Sequence, residues 1–325
     1  MLPGFSVQEI QDALDQISAL HRGDQNFISV SYTKYNDVRI RYRDAKKRPR
    51  NLPKSIKMFS QSENAAYDVS VLYSSGPTII PSIGRTRVDP VYASKLTTRT
   101  GAPWMGGDYI RNVDSQDWGT TTFFVASIAI SYNGLCQGQC KAAPALLSCS
   151  HVLDPGEQYP IGSSIETDTN DVIAQLNCTV PLKCRSNKDV GLATVNDINQ
   201  VDRWTVREIG YLGDVRAPII GELVQKFGAR TGYTTGTILA QTNIIVNDIE
   251  YDGVFQVAGG FSCPGDSGSC VVGSDKGVLG VLSWGDNISC DQKPTGYFWI
   301  LQNMGMEFDS SIRSDVTREF VAIRK

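Results

Sequence analysis

Phe261-Ser262-Cys263-Pro264-Gly265-Asp266-Ser267-Gly268-Ser269 holds a Gly-Asp-Ser-Gly core at residues 265–268. A serine hydroxyl is a poor nucleophile at neutral pH. It needs a base within hydrogen-bond reach and donors aimed at the oxyanion that forms on attack. The flanking glycines meet the second need, because they can turn the N–H groups of Gly265 and Ser267 toward one point. Taken alone, the same four residues also suit a polar turn, so the reading depends on partners elsewhere in the chain.

The chain has two histidines, His21 and His151. His21 ends Val7 to Leu20, where Ile10, Ala13, Leu14 and Ile17 recur at helical spacing and Gly23 follows as a stop signal, so it reads as the last turn of an amphipathic helix. His151 closes Ala145-Leu146-Leu147-Ser148-Cys149-Ser150-His151, an apolar strand running into small polar residues. A scaffold presents catalytic side chains at such rims. The base in turn needs a carboxylate to fix its tautomer. Asp189, which opens Val190-Gly191-Leu192-Ala193-Thr194-Val195, suits this better than Asp154, Asp171 or Asp197.

His151, Asp189 and Ser267 therefore stand in the chain order His, Asp, Ser, which resembles the chymotrypsin-like serine peptidases. Closer still is the resemblance to bacterial trypsin-like peptidases with an N-terminal extension and to the plant narrow-leaf peptidase. It is carried by Gly119 to Phe124, Leu147 to Leu153 and Gly221 to Ile238, and covers about Gly101 to Phe308. The resemblance implies a mainly β fold of two antiparallel six-stranded barrels with a small N-terminal α/β extension. It further implies a Cys263–Cys290 disulfide and an oxyanion hole made by Gly265 and Ser267. Substrate would be bound by Phe261, Ser283, Trp284, Gly285 and Gly296. With Phe261 rather than an acid six residues before the nucleophile, selectivity for Lys or Arg is not expected. Small or medium apolar side chains are the expected preference.

Domain boundaries follow from punctuation. Residues 1–60 read as a small α/β module, 61–106 as a connector, 107–308 as the peptidase domain and 309–325 as a tail or helix. Short β runs are expected at Phe123–Ser131, Ala145–Ser150, Asp171–Leu176, Gly191–Val195, Leu223–Phe227, Gly236–Gln241, Val254–Val257, Ser269–Val272 and Val278–Ser283. At 325 residues and 41% hydrophobic, the chain can bury a sizeable core. A net charge of −3 gives no pull toward nucleic acid or membrane. The basic run Lys46, Lys47, Arg48, Arg50, Lys54 and Lys57 reads as a solvated loop after a hairpin.

The eight cysteines suggest loop staples Cys136/Cys140 and Cys178/Cys184 beside Cys263/Cys290, with Cys149 a buried thiol and Cys270 unassigned. No zinc site or other cofactor is expected, since histidines are scarce and no pair of Cys-x2-Cys units occurs. The amino terminus lacks the charged start and apolar run of a secretory leader, which leaves compartment open. The expected partner is a protein or peptide substrate, with no nucleic acid or membrane partner; oligomeric state is not legible. The expected activity is serine endopeptidase, and the rivals are a catalytically silent binding protein on the same fold and a narrow self-processing peptidase or esterase.

Overall fold

The computed structural model describes residues 5–21, 23–33, 35–47, 49, 52–81, 103–115, 117–132, 138–180, 188–247, 249–301 and 306–307. The chain is mainly β. Among the described residues the one long helix, Val7–His21, starts at a reciprocal cap in which Glu9 N–H donates to Ser6 Oγ (3.2 Å) and Ser6 N–H to Glu9 Oε2 (2.6 Å). It ends before Gly23, whose φ of +90° makes the left-handed exit. The apolar stripe Ile10, Leu14 and Ile17 packs on Val30, Tyr32, Val38, Ile40 and Tyr42 of a small sheet. His21 is buried as a packing residue, stacked on Phe27 at 5.2 Å with its Nδ1 3.2 Å from the Tyr42 hydroxyl. Burial pushes its pKa down.

That sheet contains Phe27–Thr33, Asp37–Tyr42, Ala65–Ser75 and Ser55–Ser60 in spatial order. Within Asp37–Tyr42 the residues Val38, Ile40 and Tyr42 face the core, and Arg39 and Arg41 the other side. Ala65–Ser75 pairs parallel to Asp37–Tyr42, so the sheet of the N-terminal module runs past residue 60 into the segment read as a connector.

Two barrels follow. In the first, strands run in the order Gly119–Thr120, Tyr109–Asn112, Ser164–Glu166, Val172–Thr179, Gly191–Val195, Ala145–Ser148, Phe123–Val125. The two ends of this series are consecutive in the chain, so the sheet closes through Thr121 and Thr122. In the second, Leu223–Gly228, Cys270–Gly273, Val278–Asp286, Gly296–Ile300, Ile249–Val257 and Gly232–Val246 form a closed antiparallel ring of six. The long strand Gly232–Val246 then continues outward, pairing Ala240 to Ile244 with Thr33 to Ser29 of the module. One sheet thus spans module and second barrel.

Most of the expected strands are present with extended ends. The run Phe123–Ser131 is instead two strands, Phe123–Val125 and Ile128–Tyr132, split by a bend at Ala126 and Ser127. The expected local staples are also corrected. Cys140 bonds Cys178 across 38 positions, with Cα atoms 5.6 Å apart, because folding brings Gly138–Ala142 against Val172–Thr179. Cys136, Cys184 and the tail 309–325 lie outside the described residues. Cys263 and Cys290 are bonded, and Cys149 and Cys270 are free and buried. No described helix is long and apolar enough to cross a membrane.

Candidate active site

His151 sits in the single turn Ser150–Leu153 that caps the strand Ala145–Ser148, and Asp189 lies just before Gly191–Val195, the strand paired with it. Antiparallel pairing of Ser148 with Gly191 brings the two side chains together at one barrel end. Asp189 Oδ2 is 2.5 Å from His151 Nδ1, and Oδ1 accepts from the His151 N–H at 3.2 Å. The carboxylate is buried, and the imidazole is 12% exposed. Fixing Nδ1 in this way leaves Nε2 as the free lone pair, and Nε2 makes no hydrogen bond among the described residues.

Ser267 comes from the second barrel, in the loop before Cys270–Gly273. Its hydroxyl donates to the Ser283 carbonyl at 2.9 Å rather than to His151. Cys149 joins the two halves of the cluster, with its Sγ 3.0 Å from Ser283 Oγ, while the Trp299 indole N–H donates to the same Oγ at 2.9 Å. Transfer of the Ser267 proton to an imidazole would require the hydroxyl to leave the Ser283 carbonyl. Hydrogen bonds of this kind are commonly made only once substrate is bound.

The Ser267 loop is tied down from three directions. Thr120 Oγ1 donates to Gly265 O (2.8 Å), Thr120 N–H to Ser267 O (2.7 Å), and Thr122 Oγ1 to Gly268 O (2.6 Å). Gly265 has φ +108°, and a Cβ there would lie 2.3 Å from the buried Trp118 ring, so only glycine lets the loop pass. Among the described residues, the N–H groups of Gly265 and Ser267 donate to no protein group.

Asp266 points away from solvent and is fully buried with Lys226, Nζ to Oδ2 3.3 Å. Its Oδ1 accepts from the N–H groups of Arg230 (3.1 Å) and Thr231 (3.0 Å), and its Oδ2 from Thr231 Oγ1 (2.8 Å) and Cys263 N–H (2.9 Å). Burial holds the Lys226 pKa below the ordinary 10.5, partly offset by Asp266. Sequence reasoning found Asp266 but not its lysine, nor Thr120, Thr122 and Trp118. Their only signal was a lysine inside the apolar strand Leu223–Gly228 and a threonine run beside a tryptophan.

The residues expected to bind substrate are divided. Ser283, Trp284 and Gly285 line the end of Val278–Asp286 nearest Ser267. Phe261 is fully buried in the second barrel, against Gly236 and Gly296, with Lys226 Nζ 5.7 Å from its ring centre. Donor atoms of Cys149, His151 and Asp189 lie within 4.8 Å of one another, a spacing that could suit a cation. Burial, with Asp189 adding to it, pushes the Cys149 thiol well above its usual range, so it stays protonated and ligates poorly.

No family model matches the chain, and no curated protein matches it in sequence. Similar solved structures include the Nocardiopsis protease NAPase, at 16% identity, 63% of this chain, 98% of that chain and TM-score 0.43. Thermobifida fusca protease A is 16% identical over 61% of this chain and 92% of its own, TM-score 0.43. A Cellulomonas bogoriensis chymotrypsin is 17% identical over 64% and 98%, TM-score 0.43. Likeness of this size carries no argument about what the site does, which rests on the residues themselves.

Proposed function

We propose that the chain is a serine endopeptidase. Ser267 attacks a peptide carbonyl, and His151 Nε2 takes its proton and returns it to the leaving amine. Asp189 holds the imidazole in the required tautomer and stabilises the imidazolium. The N–H groups of Gly265 and Ser267 bind the oxyanion, and water then hydrolyses the acyl-enzyme. The observation that supports this best is the 2.5 Å contact of Asp189 with His151 Nδ1, which leaves His151 Nε2 without a hydrogen-bond partner among the described residues. A purely structural histidine so enclosed would ordinarily find a second partner.

In this reading, the Lys226–Asp266 pair supplies the internal counter-charge that holds the oxyanion loop, and the chain needs no newly cut amino terminus to form it. Position 261 carries no acid, which argues against selectivity for Lys or Arg, while Phe261 itself packs in the core of the second barrel. The test is labelling of the purified chain by a fluorophosphonate, beside Ser267→Ala and His151→Ala variants. Labelling is expected in the parent and in neither variant. A folded parent that resists the probe would instead favour the silent binding protein.

A further inference from the structure

One short strand of the N-terminal half lies on the second barrel rather than in the module's own layer. Ile79–Pro81 runs antiparallel to the end of Val278–Asp286, with Ile79 opposite Asp286, Ile80 opposite Gly285 and Pro81 opposite Trp284. That edge is open for a physical reason. Cys270–Gly273 pairs with Val278–Asp286 only as far as Val281, because the chain before Cys270 turns away into the Ser267 loop. On the other side, Trp284 and Gly285 are already paired with Tyr297 and Gly296. The covered edge begins one residue beyond Ser283, whose carbonyl accepts the Ser267 hydroxyl. A polypeptide added there as a strand lies alongside the nucleophile, the recognition mode in which backbone bonds give affinity and alternate side chains give selectivity.

The occupant is fastened by the N-terminal module. Arg41 Nη2 donates to Pro77 O (2.6 Å) and to Asp286 Oδ1 (2.9 Å), and Arg41 Nη1 donates to the Tyr297 hydroxyl (2.7 Å). The Tyr297 hydroxyl also donates to Asp286 Oδ1 at 3.2 Å, and the Asn287 N–H donates to Thr78 O at 2.8 Å. The Arg41 and Asp286 side chains are only 14% and 9% exposed, so water screens the pair weakly. Ile79 is buried in the main core, whereas Ile80 and Pro81 are half-exposed. One cation therefore links module, strand and barrel edge.

With Ser283 to Gly285 as the strand on which the expected substrate would pair, we infer that Ile79–Pro81 occupies that edge in the intact chain as a tethered competitor for an extended, apolar polypeptide. This deepens the endopeptidase reading and rests on it for the cleavage that follows, though not for the docking itself. A short tether gives the internal strand an effective concentration on the order of millimolar. An incoming chain binds well only after that strand lifts, and Arg41 sets how readily it does so.

The probe is a fluorescein-labelled peptide Ser-Ser-Gly-Pro-Thr-Ile-Ile-Pro, the sequence of residues 74–81. It is titrated by fluorescence anisotropy against the full chain carrying Ser267→Ala, alone and combined with Ile80→Asp, which alters the internal strand and leaves the probe unchanged. Thermal melts confirm that each protein is folded. The Ile80→Asp substitution is expected to tighten peptide binding by about tenfold or more, by weakening the internal competitor. Equal affinity for the two proteins, or binding to neither, overturns the inference. Fluorophosphonate labelling of the same chains with Ser267 intact separates the two claims. Lost labelling with a preserved difference in peptide binding rejects the peptidase alone, and preserved labelling with no difference rejects the tethered competitor alone.

Discussion

Lys226 is fully buried, and its ammonium is met by the Asp266 carboxylate, the Thr231 hydroxyl and the face of the Phe261 ring. Removing the ammonium by Lys226→Met leaves Asp266 buried without its counter-charge. This is expected to cost about 3–5 kcal/mol in urea unfolding and to abolish labelling of Ser267. The pH dependence follows from burial, which places the Lys226 pKa below 10.5. Raising pH through that lowered pKa removes the ammonium and releases Asp266, so turnover is expected to fall on the alkaline side before pH 10.5. The contribution of this group to fold stability has the opposite sign. The unfolded chain binds the proton more tightly in that window, so stability rises with pH there. Lys226→Arg, which keeps its proton, should remove the alkaline loss of turnover from a pH–rate profile. Ser267, His151 and Asp189 could be picked out of the sequence because each stands next to a local pattern. Lys226 could not, because its partner is 40 positions away and nothing in its own strand, Leu223–Gly228, points to a buried carboxylate.

At the scale of elements, the Ser267 loop is shaped as much by Gly119–Thr120 of the first barrel as by its own glycines. Thr120 Oγ1 both donates to Gly265 O and accepts from the Ala229 N–H at 2.9 Å. Thr120→Val leaves that N–H buried and unpaired, which is expected to cost about 1–3 kcal/mol in chemical denaturation. The same change should slow fluorophosphonate labelling, because the loop loses a tie beside the proposed oxyanion donors. Cys140–Cys178 joins two strands of different sheets, and replacing both cysteines with serine is expected to cost about 3–4 kcal/mol on the chain-entropy account. Sequence spacing gave the strands and their alternation, as in Val38, Ile40 and Tyr42, because period-two burial is written locally. Spacing misleads for Cys140 and Cys178, because nearness along the chain suggests local staples and the fold instead brings their strands together.

The molecule as a whole is organised around Gly232–Val246, the 15-residue strand shared by the second barrel and the N-terminal module. The module's helix and the barrel even share polar contacts, as Gln11 accepts from Gln241 at 2.8 Å and Asn243 donates to Asp15 at 2.9 Å. Module and second barrel are therefore expected to unfold together, giving one calorimetric transition rather than two. A chain beginning at Trp104 should melt lower and aggregate, because the Ala240 to Ile244 edge would be left without its partner strand. None of this sheet fusion was visible in the sequence. The module and the barrel each look self-contained, and nothing in Phe27 to Thr33 names the strand more than 200 positions away that it joins.

For this protein, breaking the chain and parting its pieces are distinct events. A nick engineered between Pro81 and Trp104 would leave two fragments held by a shared hydrogen-bond ladder, the bonds of Gln11 and Asp15 to Gln241 and Asn243, and the Arg41 contacts to Asp286 and Tyr297. They would migrate as one particle under native conditions and as two bands only once denatured. The amino-terminal portion would in this sense behave as a subunit encoded in line with the barrels it joins.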